Sequence, residues 1–157
     1  MKRKNKDKYY LDIARQVASR STCLKRKYGC VLVNNDEIIA TGYNGSPRGE
    51  INCCDIHEEC PRKNVPHNSG DYSDCPSVHA EQNAMLSASR KEMMNATMYL
   101  YGEEIHEWYG DLNNMLNKQK VWAEISNPEP CPICMRMIKN AGITKIVNKE
   151  RTEYVCY

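Results

Sequence analysis

A histidine and a glutamate stand two residues apart in "HAEQNA" (79–84), and two cysteines follow in "PCPIC" (130–134), some fifty positions downstream. Thiolates and imidazoles bind zinc in a tetrahedron, and a site that does chemistry keeps one corner for water. His79, Cys131 and Cys134 supply three such ligands and leave the fourth position open. The two cysteines, three apart, share a face of a first helical turn, whose positive end also favours thiolate over thiol. Glu81 is not a ligand in this reading. Its carboxylate takes a proton from metal-bound water, whose pKa falls from 15.7 towards ~7, and passes it to a ring nitrogen and then a leaving amine. The competing reading is a closed structural site, which needs a fourth ligand that these motifs do not supply.

Two helix starts must converge to build such a centre. "KYYLDIARQVASRS" (8–21) reads as an amphipathic helix, with Tyr10, Ile13, Ala14 and Val17 at helical spacing. "YGCVLVNNDEIIATGYN" (28–44) reads as a β-hairpin turning at "NND". The stretch 45–77, rich in Gly, Pro, Asn and Cys, has no periodicity, and a compact domain needs something besides a core to hold it. A second helix is expected over 77–93 with Ser77 as N-cap and Ala80, Ala84, Met85 and Ala88 buried. A strand over 96–103 follows, then a segment readable as a short helix or a surface excursion. A third helix spans 131–142, ending near Asn140 or Gly142, and "ITKIVNKE" and "TEYVCY" close the chain as strands. The order favours an α/β sandwich with helices packed on one mixed sheet.

The 157 residues fit a single domain, 1–157. A hydrophobic share of 41% and a charged share of 27% are ordinary for a globular protein. A net charge of +2 argues against nucleic acid as a partner, and the basic "MKRKNKDK" reads as a solvated terminus. No apolar run is long enough for a bilayer, and no secretory leader precedes the domain, so no membrane association and a cytoplasmic location are expected. In that reducing setting nine cysteines point to metal rather than disulfides.

H-x-E together with P-C-x-x-C resembles the signature of the zinc deaminases, in which the glutamate is a non-ligand acid and base. "SRSTCLKRKYGCVLV", "IIATGYNGSPRG" and "PCPICMRMIKNAGITKIV" are similar to segments of the deoxycytidylate (dCMP) deaminase family, and together cover roughly residues 9–148. The resemblance implies a cytidine-deaminase-like sandwich with a mixed five-stranded sheet. It implies hydrolysis of dCMP to dUMP and ammonia, by attack of zinc hydroxide at C4 with Glu81 relaying protons, supplying dUMP for thymidylate synthesis. Alternatives are a relative acting on dCTP, CMP or a modified cytosine, or a non-catalytic zinc protein of the same fold.

By resemblance, Asn44 contacts the deoxyribose and the Ala80 amide meets the pyrimidine carbonyl. Arg26, Lys25 and Arg48 are the nearest candidates for the phosphate. A homo-oligomer, from dimer to hexamer, and dCTP and dTTP as effectors are implied in the same way. So is a second, structural zinc in the cysteine-rich loop, assigned to Cys23, Cys53, Cys60 and Cys75, with His67 or His57 as substitutes and Cys54 as the neighbour of Cys53. Cys30 and Cys156 read as core residues. The chain departs from the family in an insertion at about 103–127, beside the active site. There His106, Trp108 and Tyr109 read as packing or a subunit contact before ligand stacking.

Overall fold

The computed structural model describes residues 3–66, 69, 72–109 and 118–155, with backbone alone at 108, 109 and 118. The elements run α1 (Lys6–Ala18), β1 (Arg26–Asn34), β2 (Glu37–Tyr43), α2 (Cys53–Ile56), α3 (Ala80–Leu86) and α4 (Arg90–Met93). Then come β3 (Thr97–Tyr109), β4 (Lys118–Glu124), α5 (Pro132–Ala141), β5 (Lys145–Val147) and β6 (Thr152–Tyr154). The sheet order is β2-β1-β3-β5-β6, with β4 also paired to β3. β3 and β5 are parallel and the other pairs antiparallel, so the sheet is mixed as expected.

Alternation along β1 explains the layers. Val31 and Val33 join Tyr10, Ala14, Ala18, Tyr99 and Tyr101 on the α1 side of the sheet. Cys30 and Leu32 face the other way, into a core with Ala80, Ala84, Met98, Leu100 and Ile138. A strand covered on both faces is apolar throughout, which is how "CVLV" reads. Helices therefore sandwich the sheet, with α1 on one side and α3 and α5 on the other. The β1–β2 hairpin turns at Asn35 (φ 48°) and Asp36 (φ 68°), where Asn and Asp tolerate the left-handed backbone that matches strand twist.

Two expectations change. The sheet has six strands rather than five, because the segment 103–127 is strand at residues 103–109 and 118–124. It continues β3 outward and returns as β4, with Ile105 opposite Trp122 and His106 opposite Val121, a ribbon of strand-forming residues. Lys27 sits over the Trp122 ring at 4.1 Å and ties this ribbon to β1.

The helix expected over 77–93 is two shorter ones. Val78 is held extended by a β-bridge to Gly45 (2.8 and 3.2 Å), so Ser77 cannot cap and His79 does. Ser89 then starts α4 through a capping box with Glu92. Helix α5 begins and ends as expected, between the N-cap Cys131 and Gly142 at φ 88°. Cys30 is fully buried in the core, while Cys156 lies outside the described residues. Among the described residues no helix is long and apolar enough to cross a membrane.

Candidate active site

The loop after β2 positions the site. Asn44 is buried, and its Oδ1 accepts from the Tyr28 amide and the Ser21 hydroxyl, each at 2.7 Å. Its Nδ2 donates to the Arg26 carbonyl at 2.8 Å. These bonds lock the start of β1 to the end of β2. The bridge from Gly45 to Val78 and a bond from Asn83 Nδ2 to the Tyr43 carbonyl (2.7 Å) then seat α3 on the same segment. At Gly42 the backbones touch: a Cβ there would stand 2.3 Å from both the Ala80 carbonyl oxygen and the Ala84 nitrogen.

This places His79 against the N-terminus of α5. His79 Nδ1 lies 3.6 Å from Cys131 Sγ and 3.5 Å from Cys134 Sγ, and the three ligand atoms fall within 4.8 Å of one another. A tetrahedral zinc with Zn–S near 2.3 Å and Zn–N near 2.0–2.1 Å would hold sulfur and nitrogen about 3.5–3.6 Å apart, so the donors fit the ion. The Cys134 amide donates to Cys131 Sγ at 3.4 Å, a bond that favours thiolate. Burial pushes the Cys134 thiol well up, with the Glu81 charge adding to it, and a bound cation would offset both effects.

Glu81 is 4% exposed, and burial pushes its carboxyl up to about 7, against smaller opposing effects of its backbone and a contact with Cys134. A carboxyl poised there can take and return a proton near neutrality. Burial lowers His79, which favours the neutral imidazole that ligates metals.

One pocket is lined by His79, Ala80, Glu81 and Cys131 together with Asn44, Tyr28, Lys25, Arg26, Arg62 and Tyr72. Cys134 is fully buried behind this lining, and Arg48 is exposed and lies outside it. Arg26 is in place but paired with Glu104, at 2.7 and 2.8 Å. Lys25 donates to the carbonyls of Arg62 and Val65, at 3.0 and 2.6 Å. Tyr28, Arg62 and Tyr72 were missed by sequence reasoning. Nothing periodic marks them, and Arg62 and Tyr72 arrive on the irregular loop.

That loop gathers its thiols. Cys23, Cys53, His57, Cys60 and Cys75 line a small cavity of about 20 Å³, but among the described residues only His79, Cys131 and Cys134 bring three ligand atoms within 4.8 Å of one another. Cys53 faces the cavity, its thiol pushed up to about 11 by burial and the other three cysteines. Cys54 is exposed beside Asp55. His67 lies outside the described residues, as do the side chains of Trp108 and Tyr109; His106 is exposed on the ribbon.

A family model, the cytidine and deoxycytidylate deaminase zinc-binding region, matches residues 4–150. The chain belongs to this family. Over 154 residues it is 34% identical to the deoxycytidylate deaminase of Mycobacterium phage D29, covering 94% of this chain and 96% of the phage protein. It is 46% identical over 95 residues to the deoxycytidylate deaminase of Schizosaccharomyces pombe, a match that takes in 59% of this chain but only 29% of the yeast protein. A crystal structure of a dCMP deaminase from cyanophage S-TIM5, in complex with dCMP and dUMP, superposes with TM-score 0.60 at 24% identity. That likeness covers 94% of this chain and 83% of the cyanophage chain, and it shows the shared deaminase fold.

Proposed function

We propose that this deaminase hydrolyses dCMP, with water replacing the 4-amino group to give dUMP and ammonia. The observation that carries the reading is the convergence of His79 Nδ1 with two cysteine sulfurs at 3.5 and 3.6 Å, beside a buried glutamate in one pocket. The phage relative named a deoxycytidylate deaminase, matched over nearly its whole length, supports dCMP as the substrate. A zinc ion held by His79, Cys131 and Cys134 would supply activation of the attacking water.

The chain's own residues do the rest. Glu81 accepts the proton of that water and delivers it to the ring nitrogen and the departing amine. The Ala80 amide, in the first turn of α3, receives the pyrimidine carbonyl. Asn44 has both lone pairs and one N–H engaged in the fold, and its remaining N–H reaches the deoxyribose. Cys23, Cys53, Cys60 and Cys75 would be the residues to hold a second, structural zinc, whose binding energy would help order the irregular loop. The exposed Leu86 and Ile133, on α3 and α5, supply apolar surface for a homo-oligomer.

The test is ammonia release by the purified protein from dCMP, dCTP, CMP, deoxycytidine and cytosine. The expected result is turnover chiefly of dCMP, abolished in Glu81→Gln with zinc content unchanged. Preference for dCTP or CMP would keep the chemistry and reject the substrate; no turnover of any of them by the zinc-loaded protein would reject the reading.

A further inference from the structure

Among the described residues three polar or charged side chains are buried, Asn44, Glu81 and Asn148. Asn44 and Glu81 line the catalytic pocket, and Asn148 does not. It stands in the turn between β5 and β6. Its Oδ1 accepts from the Glu150 and Arg151 amides at 3.0 and 2.9 Å, which closes that turn. The other half of the side chain reaches away from the turn. Its Nδ2 donates to Asn127 Oδ1 at 2.6 Å and to the Pro128 carbonyl at 3.1 Å. A carboxamide has two acceptor positions and two donors, so all four are used. Main-chain N–H groups on one side and oxygens on the other leave this amide a single orientation.

The segment that Asn148 reaches is the one that delivers Cys131. At its start the Ile125 amide donates to the Gly102 carbonyl at 2.9 Å, and at its end Cys131 caps α5. Between them, among the described residues, no bond from main chain to main chain holds 126–130, and Pro128 and Pro130 have no N–H to offer. Side chains of the β5–β6 turn hold it instead. Arg151 meets Glu129 at 3.0 Å, on the oxygen that also accepts from Asn127 Nδ2 at 2.8 Å. That ion pair is about half exposed and contributes little, so the buried Asn148 bonds carry the tether. The turn is itself a fixed point, because β5 is paired with β3. Two residues separate Pro128 from Cys131, and one of them is a proline with its φ locked. A displacement at 128 is therefore passed on to Cys131 and to Glu129, which shares the pocket wall with it.

We propose that Asn148 is a positioning residue for the metal centre, which sets where Cys131 stands against His79 and Cys134 by holding residues 127 and 128 to the β5–β6 turn. His79 arrives on α3 and Cys134 lies inside α5, so each has a helix to place it. Cys131 is the N-cap, with extended backbone, and its sulfur depends on the chain that leads in. This rests on the reading of the three residues as zinc ligands.

The experiment measures zinc affinity by chelator competition, with His79→Ala as the blank that identifies the ion of this centre, and stability by urea denaturation. Wild type is compared at alkaline pH with Asn148→Ala, Asn148→Asp, Asn127→Ala and Gly29→Ala. Asn148→Asp keeps an acceptor for the Glu150 and Arg151 amides, while its ionised carboxylate donates nothing to residues 127 and 128. It cuts the tether and spares the turn. Groups that orient metal ligands from behind are worth ~10–100-fold in affinity, so both Asn148 variants are expected to lose about 10-fold or more. Asn127→Ala should lose part of that, and Gly29→Ala, which disturbs α1 across the sheet, none. The proposal is overturned if Asn148→Asp keeps wild-type affinity while Asn148→Ala loses it, since the side chain then serves only its turn. It is also overturned if Gly29→Ala loses as much at comparable stability, or if neither Asn148 variant changes affinity. Should the Asn148 variants fail to fold, Asn127→Ala decides: reduced affinity supports the tether, and wild-type affinity removes it. A wild type that holds no zinc at this centre would instead remove the underlying reading, a failure seen without any variant and without reference to turnover.

Discussion

Substituting Gly42 by alanine should separate the metal site from the rest of the fold. The added Cβ would lie 2.3 Å from the Ala80 oxygen and the Ala84 nitrogen, both backbone atoms that cannot rotate away. Restoring an ordinary contact of 3.4 Å means backing α3 off β2 by about 1.1 Å. His79 caps that helix while Cys131 and Cys134 sit on α5, so the shift opens the 3.5 and 3.6 Å separations by a comparable amount. A tetrahedral ion cannot span that widening at normal bond lengths. Overpacking typically costs ~1–3 kcal/mol of stability, and a ~1 Å misplacement of catalytic groups about 100-fold in rate.

Gly29→Ala is the control, because its Cβ would meet Ala14 O at 2.0 Å and Ala18 N at 2.5 Å, on α1 across the sheet. Both variants are to be measured by urea denaturation, zinc per chain and kcat on dCMP. Both should lose stability; Gly42→Ala alone should lose zinc affinity and about two decades of kcat. Wild-type kcat and zinc in Gly42→Ala would refute the reasoning, as would an equal loss of kcat in Gly29→Ala at matched stability.

Cys60→Ser should lower zinc from two ions per chain to one by elemental analysis and reduce stability, since metal binding energy is folding energy; an unchanged metal content would reject the second site. Asn44→Ala takes the Asn44 partner from the Tyr28 amide and the Arg26 carbonyl, and at ~1–3 kcal/mol for each buried group left unpaired the unfolding free energy should fall by roughly 2–6 kcal/mol. A loss under ~0.5 kcal/mol would show that water replaces the side chain. Burial, reinforced by the Asp36 carboxylate that accepts its hydroxyl, pushes Tyr10 from 10.0 up to about 12. The unfolded chain therefore releases this proton first, so the stabilisation is complete below pH 10 and is lost as pH rises from 10 to about 12. Denaturation midpoints should fall over that range in wild type and fall less steeply in Tyr10→Phe; identical slopes would remove Tyr10 as a cause.

The convergence of His79 with Cys131 and Cys134 was legible because their spacing is set by local geometry. Two cysteines three apart at a helix start must share a face, and the backbone that makes His79 an N-cap also places Glu81 in the first turn behind it. The sandwich followed from alternation in "CVLVNNDEIIATG" and from helical spacing in α1. What misled were positions decided by partners far along the chain. Ser77 looks like an N-cap until Gly45 is seen to hold Val78 extended. Residues 103–109 and 118–124 include strand formers, but only pairing such as that of Ile105 with Trp122 makes them a ribbon.

The phosphate end of the pocket shows the limit most sharply. Lys25, Arg26 and Arg48 stand near the motifs in sequence, and proximity is all that recommends them. Arg26 is matched by Glu104, 78 residues away, and Lys25 by carbonyls 37 and 40 residues away. Arg48 is on the surface. A cation's usefulness to a ligand depends on what already answers its charge, and that is a property of tertiary structure. Composition does show that the irregular loop must be held by something, and thiols are the means at hand. Cys23, Cys60 and Cys75 line both the pocket and the small cavity beside it, so the two share a wall. Arg62 and Tyr72 lie between Cys60 and Cys75. On this argument the loop's thiols matter to the pocket as well as to stability: Cys60→Ser should disturb the shared wall, and with it KM, while His79, Cys131 and Cys134 remain in place.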